Sequence, residues 1–64
     1  MKVYTVETEH NGVEGIFDSL EKAEKHITEY HELIRIAEYG TCYGYGLNVK
    51  DEYPIAWVGF FEVE

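Results

Sequence analysis

"DSLEKAEKHITEYHELIRIAEYG", Asp18 to Gly40, is the stretch on which the fold turns. Its apolar positions Leu20, Ala23, Ile27, Tyr30, Ile34 and Ala37 recur every three or four residues, the signature of one helical stripe. Asp18 can cap the start, with Glu21 three residues on to complete a reciprocal box, and Ser19 can serve as cap one position later. Gly40 stops the pattern where a helix commonly ends. Read as a single element, the stretch predicts a helix over roughly 19–38, about 30 Å long. Leu33 and Ile36 fall off the stripe. They either widen the apolar surface or mark a break near His31, after which the chain changes direction. The continuous stripe favours the unbroken helix.

Upstream, KVYTVETE (residues 2–9) alternates and is rich in strand formers. His10-Asn11-Gly12-Val13 follows, and Asn-Gly between alternating runs signals a tight hairpin because both turn residues need positive φ. A two-residue turn at Asn11-Gly12 would pair His10 with Val13, Thr8 with Gly15 and Val6 with Phe17. One face then carries Tyr4, Val6, Val13 and Phe17 toward the core. The other carries Thr5, Glu7, Glu9, Glu14 and Asp18, with Val3 and Ile16 as apolar exceptions. Glu9 would stand opposite Glu14, a mildly unfavourable pair of like charges.

Downstream, EYGTCYGYGLNV (residues 38–49) changes to period two. Thr41, Tyr43, Tyr45, Leu47 and Val49 share one face; Cys42, Gly44, Gly46, Asn48 and Lys50 share the other. The glycines follow a helix and lead into a strand, with no Lys-Ser or Lys-Thr at the phosphate-loop offset, so they do not form a nucleotide cradle. Gly44 and Gly46 instead leave a bare strand face, which packs under the chain's own helix or receives another surface. After the polar turn Lys50 to Pro54, residues 55–63 are apolar on both sides. Such a strand is central, or one of its faces meets another chain. The expected architecture is α+β, in the order β-β-α-β-β, with one helix on a four-stranded, mainly antiparallel sheet.

The 64 residues make a single domain, 1–64. A chain this short buries only about 60% of its unfolded surface and needs a dense core, a metal or a partner. One cysteine, Cys42, rules out an internal disulfide. Six Tyr, three Phe and one Trp can supply a core. Thirteen acidic residues against five basic ones give a net charge of -8, which repels nucleic acid and anionic membranes and attracts basic surfaces. The lone cysteine, and the absence of a secretory apolar segment or a membrane-length run, lead us to expect a cytoplasmic protein.

Candidate chemistry is sparse. On an unbroken helix His26 and His31, five residues apart, stand about 140° apart around the axis and cannot share an ion as an i, i+4 pair does. His10 sits at the hairpin tip, and Cys42 has no cysteine companion at ligand spacing. No metal, cofactor or catalytic residue is expected. The hairpin carboxylates Glu7, Glu9 and Glu14 would lie in one plane and, with Asp51, Glu52, Glu62 and Glu64, extend a negative field.

The segments YTVE (4–7) and GVEGIFDSLEKAEKHI (12–27), a hairpin running into Phe17-Asp18-Ser19-Leu20-Glu21-Lys22-Ala23, resemble small acidic proteins of phages and prophages. The resemblance covers the first third of the chain. It implies a mobile-element origin and a role as inhibitor of host machinery, including restriction and CRISPR-type defence. The leading expectation is a non-catalytic inhibitor that binds a host protein through Glu7, Glu9, Glu14, Tyr43 and Tyr45. The alternative is a homodimer formed through the last strand or the glycine face, with Gly44, Gly46 and Phe60 as contacts. A third is small-molecule sequestration around Trp57.

Overall fold

A computed structural model describes residues 1–63; Glu64, counted above among the acidic residues, lies outside them. The elements are β1 (Lys2–Thr8), β2 (Gly12–Phe17), α1 (Leu20–Tyr30), β3 (Ile34–Glu38), β4 (Cys42–Gly46) and β5 (Ala56–Glu62). The strands form one five-stranded sheet in the order β2-β1-β5-β4-β3, with every neighbouring pair antiparallel. The α+β class and the single helix agree with the sequence reading; the strand count is five rather than four.

The extra strand comes from the helix. Ser19 is the N-cap, its Oγ accepting the Lys22 N–H at 3.2 Å. The helix then ends after 11 residues, with His31 as C-cap and its N–H donating to the Ile27 carbonyl at 3.0 Å. Glu32 adopts φ 54°, a left-handed conformation that turns the chain away from the helix axis. Ile34 and Ala37, assigned to the helical stripe by spacing, lie instead in β3. The β-branched Ile34 and Ile36 suit a strand better than a helix. Leu33, off the predicted stripe, is a buried core residue just before that strand.

The hairpin is also re-registered. Its loop is three residues, Glu9 to Asn11, and Gly12 at φ 70° pairs with Thr8 as the first residue of β2. A bulge follows: Glu7 pairs with Val13 and Val6 with Gly15, leaving Glu14 as the extra residue. The expected opposition of Glu9 and Glu14 therefore does not occur. The bulge also exchanges the faces of two residues. Val13, expected in the core, is 58% exposed. Glu14, expected on the open polar face, turns to the helix side.

β5 is central, paired with β1 on one side and β4 on the other. The helix lies across β1, β2 and β5. Ala23 and Ile27 of the helix bury against Val6, Ala56 and Val58, and Tyr45 and Leu33 complete the core. Period two sends alternate residues of β5 (Trp57, Gly59 and Phe61) to the opposite face.

Candidate functional site

Two features carry chemistry that the fold itself does not require. The first joins the hairpin to the end of the helix. Glu14 Oε1 accepts from His31 Nε2 at 2.7 Å and lies 3.1 Å from His26 Nε2. Glu14 Oε2 accepts from Asn11 Nδ2 at 2.7 Å and from Thr8 Oγ1 at 3.0 Å. Four side chains thus converge on one carboxylate whose own side chain is 12% exposed. Hydrogen bonds from Asn11, then His31 and His26, hold its pKa down at about 2 against the opposing effect of burial. His26 packs on the exposed Tyr30 ring at 4.8 Å and stands 5.8 Å from the His31 ring.

On an unbroken helix the two histidines could not have met. They meet because His31, at the C-cap, departs from helical geometry at φ -113° and both rings reach the same Glu14 oxygen. Glu14 reaches them because the bulge rotates it by half a period. Neither event has a residue spacing of its own. The only hints in the sequence were the off-stripe Leu33 and Ile36, and Asn11 three residues before Glu14.

The second feature is the face of the sheet opposite the helix. On it, cross-strand neighbours form a lattice: Ile16 beside Thr5 and Thr5 beside Gly59; Val13 beside Glu7 and Glu7 beside Trp57; Val3 beside Phe61. Gly59 is the floor of a shallow groove walled by Trp57 and Phe61, with Thr5, Glu7 and Cys42 around it. A Cβ at Gly59 would stand 3.0 Å from both Thr5 Oγ1 and the Phe61 ring, so the groove depends on glycine here. Ile16 is 66% exposed and Phe61 55% exposed.

The residues singled out from sequence scatter over these surfaces. Glu7 lies on the open face, within the groove lining. Glu9 is in the hairpin loop, its N–H bonded to the Ile55 carbonyl at 3.0 Å. Glu14 belongs to the histidine cluster, so the three glutamates do not form one plane. Tyr45 is 1% exposed, and its hydroxyl donates to Glu24 Oε2 at 2.6 Å, so it offers no surface to a partner. Tyr43 is half-buried between the Phe60 ring and the Arg35 guanidinium, which stands 4.1 Å above it.

The contacts expected for a dimer are likewise occupied from within. A Cβ on Gly44 would strike Pro54 at 2.8 Å, and one on Gly46 would strike Ile36 at 2.8 Å and Asp51 at 2.9 Å. The glycines make room for the chain's own loop and edge strand, and their face is not bare. Phe60 packs edge-on between Tyr4 and Tyr43 on the helix side. No helix among the described residues is long and apolar enough to cross a membrane.

The sequence matches no protein-family model, and neither a curated protein nor a solved structure matches it.

Proposed function

We propose that this chain is a non-catalytic binding module that docks a host protein on the helix-free face of its sheet and inhibits it by covering the surface it occupies. One observation carries the reading. Three adjacent strands present Val13, Ile16, Val3, Trp57 and Phe61 to the face that the helix leaves open, around a groove floored by Gly59. Exposed apolar side chains gathered on one face, around Thr5 and Glu7, mark a candidate interaction site. Aromatic anchors beside a hollow supply the largest part of binding energy at such sites.

Charge selects the occupant. A second copy would bring -8 against -8. A basic-rimmed, apolar-centred surface of another protein is attracted by the same field. β5 cannot recruit a second chain by edge pairing because both of its edges are taken. Of the two outer strands, β2 is six residues long and bulged at Glu14, and β3 is five residues long and irregular between Arg35 and Ala37, features that blunt edge-to-edge association.

The test is affinity capture from bacterial lysate with the wild type beside Ile16→Asp and Phe61→Asp, followed by titration of the purified captured protein. Both positions are exposed, so the variants keep the fold. The expected result is one basic protein retained by the wild type alone, with affinity falling at least about 30-fold in each variant and weakening as salt rises. Equal capture by both variants would refute the reading, as would a stable dimer that excludes other proteins.

A further inference from the structure

We infer that Glu14, His26 and His31 form a binding site for a single divalent transition-metal ion of the zinc type. One carboxylate oxygen and one ring nitrogen from each histidine lie within 4.8 Å of one another. In the structure each ring directs Nε2 at Glu14 Oε1, at 3.1 and 2.7 Å. Around an ion held at about 2.0–2.2 Å, neighbouring ligand atoms stand roughly 3–3.5 Å apart, so a small closure of the rings suffices. Binding replaces two N–H···O hydrogen bonds by coordinate bonds from the same atoms. Each neutral ring needs only to carry its proton on Nδ1 in place of Nε2.

Three further observations point to a cation. Thr8 and Asn11 occupy Glu14 Oε2 and leave Oε1 to the site, the outer support that fixes a ligating carboxylate. His31 caps the C-terminus of the helix, whose last turn carries no basic residue, so the negative end of its dipole faces the site uncompensated. The site opens to solvent between Asn11 and Tyr30, which leaves a fourth position for water or a donor from a docked molecule. Two histidines, one carboxylate and an open position are a common set for zinc, and suit cobalt and nickel.

The inference does not depend on the docking reading, since the cluster lies on the helix side. Its test is calorimetric titration of the full chain with Zn²⁺, repeated with Co²⁺ followed by visible absorption and by histidine nitrogen resonances. The expected result is one ion per chain, with both Nε2 resonances shifting. Affinity should fall about 100-fold or more in His31→Gln and Glu14→Gln, and roughly tenfold in Asn11→Ala, which removes only outer support. His10→Gln and Cys42→Ser should bind as the wild type does. Amide spectra verify that each variant is folded. In the wild type itself, absence of saturable binding or of a shift at His26 and His31 would overturn the inference. Undiminished affinity in a folded His31→Gln would do the same.

Discussion

Glu14 and Tyr45 are each fixed by side-chain hydrogen bonds, Glu14 by Thr8, Asn11, His26 and His31, and Tyr45 by Glu24. Strand alternation placed Glu14 on the open face and left the side of Tyr45 undecided. Alternation counts residues, and a bulge inserts one without a composition signal, so Glu14 was misplaced while Tyr4, Val6 and Phe17 were not. Tyr45 is buried because its hydroxyl finds Glu24, which also takes the Arg35 guanidinium. Burial first, and the bond to Glu24 second, push its pKa above the ordinary value of 10.0. A tyrosine whose folded pKa is raised stabilises the fold fully below the unfolded value and loses that contribution as pH rises beyond it. Stability should thus decline above pH ~10, and ultraviolet titration should show a tyrosine ionising above the ordinary range that is lost in Tyr45→Phe. Tyr45→Phe should cost about 1–2 kcal/mol at neutral pH, read by chemical denaturation, and should flatten the alkaline decline.

At the scale of the element, the decisive fact is where the helix stops. The helical spacing of Ile34 and Ala37 was real but coincidental. Those residues also fit a strand, and tertiary pairing with β4 settles the choice. The alternative of a break near His31 was legible from Leu33 and Ile36, whereas the left-handed turn at Glu32 was not, since no glycine or asparagine announces it. A non-glycine residue there carries strain. Glu32→Gly should therefore raise stability by about 0.5–1 kcal/mol, measured as a shift of denaturation midpoint without a change of slope. If β3 were helical in solution, the same substitution would destabilise by a similar amount. At the other end, Ser19→Ala should cost about 1 kcal/mol, while Asp18→Ala, which leaves the observed cap intact, should cost less. The central position of β5 was legible because both of its faces are apolar, and that pattern has the same cause as the candidate docking surface.

For the whole molecule, a short chain with no disulfide has little margin, and the arrangement shows where reinforcement enters. A metal held by Glu14, His26 and His31 would tie the hairpin to the helix end. At a free Zn²⁺ concentration 100 times the dissociation constant it should add about 2.7 kcal/mol, raising the melting temperature by roughly 10–20 °C. His31→Gln should show no such rise. Without a partner the chain should sediment as a monomer, its charge keeping the apolar face from self-contact. Class and acidity could be read from composition and period. The open face could be read only in part, as Val3 and Ile16 among polar neighbours, because the contribution of Trp57 and Phe61 depends on which side the helix covers. The most direct test of that face is an amide chemical-shift map of the labelled chain with and without the captured partner. Shifts should concentrate at Val3, Val13, Ile16, Trp57, Gly59 and Phe61. Shifts confined to residues 20–30 of the helix, with that face unchanged, would rule out docking there.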